Sequence, residues 1–214
     1  MMYPDIGSYA AGLGVPLDSR QLRQFEQYAG LLLEWNAKIN LTAIVERREI
    51  ALKHFADSLT VCSEIPGSSR VIDVGSGAGF PGVPVKIALP GIRLTLLDSR
   101  NKRVVFLREL VSRLELENVE CVWSRAEESG RDQRYRQRFD VCLARAVADL
   151  PALVKYCLPF VRPGGKFIAM KGRNVSDEAE RAAPAIAALG GRLGELRGLN
   201  FGGLERCLVI IHKL

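Results

Sequence analysis

The chain has 214 residues, 48% of them hydrophobic and 25% charged, a balance that can bury a sizeable core and excludes a mainly disordered chain. No run of about 18 apolar residues lacks charged or polar breaks, and no basic segment precedes an apolar run at the N-terminus, so neither a membrane span nor a secretory leader is expected. Lys and Arg outnumber Asp and Glu by 30 to 24, giving a net charge of +6, and 22 of the 30 are Arg, the better bidentate phosphate ligand.

The five cysteines, Cys62, Cys121, Cys142, Cys157 and Cys207, are odd in number and no two are spaced as CxxC. Neither a disulfide framework nor a zinc site is expected. Cys121, Cys142 and Cys207 lie in strand-like runs and read as small core residues. With only His54 and His212, and no HExxH, a bound metal is not expected.

Residues 1–65 read as a small helical extension. A short helix is expected within 1–14. Asp18 and Gln21 have the spacing of a capping box, and Leu22, Phe25, Ala29, Leu32 and Leu33 form an apolar stripe behind it. A third helix is expected over about 46–63. At Pro66-Gly67 the pattern changes to alternating strands and helices, so residues 66–214 are expected to form the main domain. Strands are expected at 70–74, 92–97, 119–123, 139–144 and 166–170. Helices are expected at 80–89, 102–114, 150–160 and 176–189. This alternation implies a parallel sheet covered on both faces. Two late strands, 192–199 and 206–212, have only a short link between them, which requires an antiparallel hairpin.

The run VIDVGSGAGFPG, residues 71–82, joins a strand to a helix, where open parallel sheets bind nucleotides. Gly75, Gly77 and Gly79 allow a tight turn and close approach to a ligand. The dinucleotide fingerprint GxGxxG needs glycine at position 80, which is Phe80, and no GK[ST] follows, so a nicotinamide enzyme and a P-loop are both disfavoured. GxGxG after an acid, here Asp73, is similar to the first motif of S-adenosylmethionine-dependent methyltransferases. That cofactor has a cationic amino group, which an acid near the strand end can receive. Asp98, 23 residues after Gly75, stands at the end of the second strand, where a carboxylate can accept both ribose hydroxyls. SRAEE, residues 124–128, follows the third strand, where backbone groups at Ala126 and Glu127 can meet the adenine edge.

Beyond that loop, several motifs occur in order: WNAKINLTAI (35–44), HFADSL (54–59), DVGSGAGFPGVPVKI (73–87), LLDSRNKRVVFL (96–107), SRAEE (124–128), ARA (144–146), MKG (170–172) and GLERCLVIIHK (203–213). Over most of its length the chain resembles the RsmG (GidB) family of bacterial methyltransferases of small-subunit ribosomal RNA. The resemblance implies a Rossmann-like class I S-adenosylmethionine-dependent methyltransferase sheet, of α/β class, ending in the antiparallel hairpin. It implies transfer of a methyl group from S-adenosyl-L-methionine to nitrogen 7 of a guanine in 16S ribosomal RNA, near the decoding region. It implies cofactor contacts at Gly75, Phe80, Ala126, Glu127 and Arg145. Asp73, Gly77 and Asp98 are added from the loop and its spacing. A same-fold enzyme acting on another RNA or a small molecule is the alternative. The 16S RNA or the small subunit is the expected partner, and a cytoplasmic monomer the expected form.

Nitrogen 7 of guanine has an in-plane lone pair, so orientation and proximity matter more than a general base. LARAVADL, residues 143–150, lacks the Pro-Pro-aromatic motif of exocyclic-amine methyltransferases. Cys142 lies in a core strand and is not expected to be a nucleophile. Arg145 is expected to orient the base or cofactor, its bland alternative being an ion pair with Asp73 or Asp149. RNA contacts are expected from a basic rim at the strand ends, formed by Arg100, Lys102, Arg103, Lys171 and Arg173, with Arg47, Arg48 and Lys53 as further candidates. Phe55 is expected in the core, and His54 with Asp57 as a pair on a helix surface.

Overall fold

A computed structural model describes residues 4–214, so the first three positions of the expected N-terminal helix lie outside the described residues. Helix α1 spans Pro4–Gly12 and α2 spans Ser19–Ile39. Asp18 caps α2 by accepting from Gln21 N at 2.8 Å, and Gln21 Oε1 accepts from Asp18 N at 2.8 Å. The helix buries Phe25, Tyr28, Ala29 and Leu32, one face at helical spacing, and stops at Asn40, whose φ is 50°. Its glutamines serve other helices. Gln21 donates to Ile87 O and Ala88 O, Gln24 to Leu114 O and Gln27 to Arg113 O, supplying donors to carbonyls left open at helix C-termini.

The third expected helix is not uniform. It begins as α3 (Arg47–Ile50), widens into a π-helical turn (Ala51–Ala56) and closes as α4 (Asp57–Leu59), before a 3-10 turn at Cys62–Glu64. Such π turns have no reliable sequence signature and recur at functional sites.

Seven strands form one sheet: β1 (Arg70–Val74), β2 (Arg93–Asp98), β3 (Val119–Trp123), β4 (Phe139–Arg145), β5 (Val161–Lys171), β6 (Gly191–Phe201) and β7 (Leu204–Lys213). Their order is β3-β2-β1-β4-β5-β7-β6. The first five are parallel, and β7 pairs antiparallel with both β5 and β6. The chain order reverses between β1 and β4, so connections leave the sheet in opposite directions there and open a crevice at the strand carboxyl ends.

Helices α5 (Gly82–Ala88), α6 (Asn101–Arg113), α7 (Ala126–Ser129), α8 (Leu150–Cys157) and α9 (Ser176–Ala188) complete the fold. One apolar cluster combines α1, α2 and the π turn with α5 and α6, including Ile6, Phe25, Phe55, Val83 and Phe106. A second lies on the other face under α8 and α9, including Leu153, Phe160, Ala182 and Ile211. The two clusters explain the nearly continuous apolar strands. Helix α5 starts two residues later than expected, because Gly79 N and Phe80 N both donate to Ser76 O and hold a tight turn. Strand β5 starts earlier, where Val161 pairs with Phe139 across a bulge in the ladder.

Candidate active site

The glycine loop leaves β1 after Val74 and is tied to β2, since Gly75 N and Ser76 N donate to Leu97 O at 2.8 and 3.1 Å. Gly75 and Gly79 have φ of 75° and 95°. A Cβ on Gly75 would lie 2.6 Å from Val147 Cγ2, and one on Gly79 would lie 2.6 Å from Tyr28 Oη. Both positions therefore need glycine for shape and for conformation.

Asp98 is buried at the end of β2. Its Oδ2 accepts from Gly77 N at 2.9 Å and its Oδ1 from Arg100 N at 2.8 Å, while Arg103 Nη1 stands 3.5 Å away. Each oxygen keeps a lone pair for a further donor. Asp73 is fully buried. Its Oδ2 accepts from Gly82 N at 2.9 Å, and its Oδ1 has no hydrogen-bond partner. Burial pushes its pKa up to about 7, against the pull of Gly82 N and Arg145.

A cleft of about 230 Å³ lies over this loop, lined by Gly75, Asp98, Ala126, Glu127, Val147 and Tyr156 among others. Four of the expected cofactor residues thus come together. Gly77 is linked through Asp98, whereas Asp73 lies out of solvent beside the N-terminus of α5. The donor set fits a nucleoside with two ribose hydroxyls and a cationic amino group. Asp98 offers paired acceptors, and Asp73 Oδ1 is a buried acceptor without a donor.

A second pocket, about 380 Å³, opens on the other side of the β4 end, lined by Ile44, His54, Asp57, Arg145, Met170 and Arg206 with Lys53 and Lys171. Arg145 is fixed from three sides. Its Nη1 donates to Asp57 Oδ2 at 2.8 Å and to Lys53 O at 3.2 Å, and its Nη2 meets His54 Nδ1 at 3.3 Å. Its guanidinium carbon lies 4.9 Å from the Phe80 ring centroid. His54 stacks on Phe80 at 4.5 Å, and Phe80 stacks on Tyr28 at 5.3 Å. Arg145 therefore belongs to the wall of this pocket, and Phe80 backs that wall from beneath His54 and Arg145.

An arginine only donates, so His54 Nδ1 is the acceptor, and its proton is assigned to Nε2, facing Thr42 Oγ1 at 2.8 Å. Burial and the nearby Arg145 push the His54 pKa down to about 4, so the ring is neutral at neutral pH.

Three expectations change. Arg145 pairs with Asp57, not with Asp73 or Asp149; Asp149 instead caps α8. His54 and Asp57 do not form a helix-surface pair, because the π turn and the start of α4 that follows it face both towards the sheet, where Asp57 is 2% exposed. Lys171 is not a free rim cation: it pairs with Glu178 at 2.8 Å and donates to Ala148 O at 3.1 Å. Arg173 is exposed and pairs with Glu205 at 3.0 Å. Arg100 and Lys102 are exposed, and Arg103 leans towards Asp98. Phe55 lies in the core. The Cys142 thiol is fully buried, and burial together with Cys157 raises its pKa well above the ordinary value, which makes it inert. Among the described residues no group of His, Cys, Asp and Glu could hold a metal, and no helix is long and apolar enough to cross a membrane.

The family model described as GidB, rRNA small subunit methyltransferase G, matches residues 21–201. The chain belongs to this family. Relatives named ribosomal RNA small subunit methyltransferase G include those of Acetivibrio thermocellus and Pelotomaculum thermopropionicum. The first is 48% identical over 95% of this chain and 85% of its own length. The second is 47% identical over 96% and 87%. Among solved structures, the O-methyltransferase from Bacillus cereus in complex with SAH superposes with a TM-score of 0.63 at 20% identity, covering 96% of both chains. A SAM-dependent methyltransferase from Aquifex aeolicus gives 0.56 at 18% identity, covering 78% of this chain and 93% of the other. These likenesses show the fold, that of class I methyltransferases.

In this family member the pocket also uses residues that sequence reasoning left without a role. Tyr28 donates to Ala78 O at 2.5 Å and braces the glycine loop from α2. Arg206 reaches Asp57 from β7 with Nε 2.9 Å from Oδ1. Thr42 holds His54. Arg206 lies in the GLERC motif, which marks the position without indicating its use. Thr42 likewise lies in the WNAKINLTAI motif, 12 residues before His54, whereas the contact of Tyr28 crosses the fold and leaves no local signal.

Proposed function

We propose that the protein transfers a methyl group from S-adenosyl-L-methionine to nitrogen 7 of a guanine in 16S ribosomal RNA near the decoding region, acting as a cytoplasmic monomer on RNA or the small subunit. The observation that carries this reading is the contact between the two pockets. Ala146 lines the second pocket and Val147, the next residue, lines the first. Ala146 has a φ of 55°, a sharp turn that puts a wall one residue thick between them. Two ligands held on either side of it can meet.

The cofactor supplies an electrophilic methyl group when bound. Asp98 accepts the ribose hydroxyls, the backbone of Ala126 and Glu127 meets the adenine edge, and Asp73 offers its unpartnered oxygen to the cationic amino group. Gly75 keeps the loop open for close approach. On the acceptor side, Arg145 is held by Asp57, His54 and Phe80 and orients the base. No residue needs to remove a proton, because the attacking nitrogen carries none. His54 agrees with this, since both ring nitrogens already have partners and its pKa lies near 4. Catalysis then rests on proximity and orientation. Exposed Arg100, Lys102 and Arg173 offer charge to RNA phosphates at the rim.

Incubation with methyl-labelled S-adenosylmethionine and small ribosomal subunits lacking the modification tests the proposal. Label recovered as 7-methylguanosine supports it, and label at any other nucleoside, or none with cofactor binding intact, contradicts it.

A further inference from the structure

Nitrogen 7 occurs in adenine as well as guanine, so the reactive atom cannot by itself select the base. The two purines differ beside it, at position 6, where guanine presents an oxygen acceptor and adenine an amino donor. The acceptor pocket offers mostly donors. Its one carboxylate, Asp57, has both oxygens engaged: Oδ2 takes Arg145 and Oδ1 takes Arg206. Most of the cations are also engaged. Lys53 pairs with Glu49, Lys171 with Glu178, and both terminal nitrogens of Arg145 have partners.

Arg206 differs. Its Nε is bound to Asp57 and its Nη1 donates to Glu205 O at 3.1 Å, which fixes the guanidinium plane. Among the described residues Nη2 has no hydrogen-bond partner, and the side chain is 29% exposed in the pocket. A fixed fork with one open donor beside a base pocket can read an acceptor and will reject an amino group.

We infer that Arg206 is the specificity-determining residue of the acceptor pocket, donating from Nη2 to O6 of the target guanine, with Asp57 as its positioning residue. The inference rests on the proposed guanine methylation. It explains why a buried acid at the start of α4 holds two arginines from different strands: one lies against Phe80 and the other reads the base.

The test uses small subunits assembled on RNA carrying either guanine or adenine at the target, with single-turnover methyl transfer measured at excess enzyme. The unmodified protein transfers to guanine and strongly prefers it. Arg206→Met lowers the guanine rate about tenfold to a hundredfold and leaves the adenine rate unchanged, so the preference collapses. Arg206→Lys, which keeps a donor but not the fork, lies between. Cofactor affinity stays at the unmodified value in both variants, which also shows that they fold. An equal loss on both bases, with a shallower salt dependence, identifies a phosphate contact and overturns the inference. So does an unchanged preference in Arg206→Met. Should that variant fail to fold, the inference is overturned if the unmodified protein transfers equally well to guanine and to 2-aminopurine, which keeps nitrogen 7 and lacks O6. Transfer to neither base by the unmodified protein contradicts the proposed function itself, and the inference falls with it.

Discussion

The cleft proposed for the cofactor and the pocket proposed for the acceptor base meet at Ala146 and Val147, yet they are built in different ways. The cleft is made by the turns after β1, β2 and β3, and backbone groups do much of its work: Gly77 N and Arg100 N hold Asp98, and Leu97 O holds the glycine loop. The acceptor pocket is made by side chains from the π turn, β4, β5 and β7, crossing 88 residues from Asp57 to Arg145 and 149 from Asp57 to Arg206. The first depends on short turn geometry and the second on long-range ion pairs. Damage to one therefore leaves the other standing unless it reaches their common support, the stack of Tyr28, Phe80 and His54.

The largest expected effect strikes that support. Gly79→Ala puts a methyl 2.6 Å from Tyr28 Oη and 2.9 Å from Val83 Cγ2 at a φ of 95°. Overpacking and backbone strain together cost about 4 kcal/mol. Gly77→Ala meets nothing closer than 3.8 Å and costs only the left-handed backbone, about 1 kcal/mol. Denaturant unfolding of the two variants separates close approach from conformation.

The next two effects have opposite pH signs on the two sides. Asp73 has a folded pKa of about 7, above its ordinary 3.8. Its contribution to stability is fully present below about pH 3.8 and lost as pH rises through 7. Asp73→Asn therefore stabilises the ligand-free protein at pH 8 by about 2 kcal/mol, allowing for the two unpaired N–H donors of the amide, and changes little at pH 4. The same variant weakens cofactor binding. His54 has a folded pKa of about 4, below its ordinary 6.5. Its neutral form is favoured by folding, so this contribution is whole above pH 6.5 and lost as pH falls towards 4. His54→Gln flattens that acid loss by about 2 kcal/mol. Melting temperatures across pH 4 to 8 check both signs.

The smallest effect lies at the rim. Arg100→Ala lowers the slope of RNA affinity against salt by about one and leaves cofactor affinity unchanged. An unchanged slope removes Arg100 from the RNA surface.

The two regions also differed in how far they could be read from the sequence. The cleft was legible because its chemistry is local: glycines two apart, an acid at the strand end and a second acid 23 residues later mark consecutive turns. The parallel sheet and its closing hairpin followed from strand–helix alternation and one short link, whereas the order of the strands came only with the structure. The acceptor pocket was not legible in the same way. Arg145 was singled out, but its partner was not, because Asp57 and Arg145 meet only when the sheet and the N-terminal helices pack together. The π turn has helical composition, so the periodicity of residues 46–63 gives a uniform helix that would leave His54 and Asp57 on its surface. Lys171 shows the same limit, since its neutralising Glu178 lies on the following helix.

The most direct test of the separation is a pair of binding isotherms on Asp98→Ala, one for S-adenosylmethionine and one for the RNA substrate. Loss of paired acceptors on the cofactor side predicts affinity for the cofactor lower by at least tenfold, with RNA affinity unchanged. Equal loss of both, or cofactor affinity unchanged, would contradict the account.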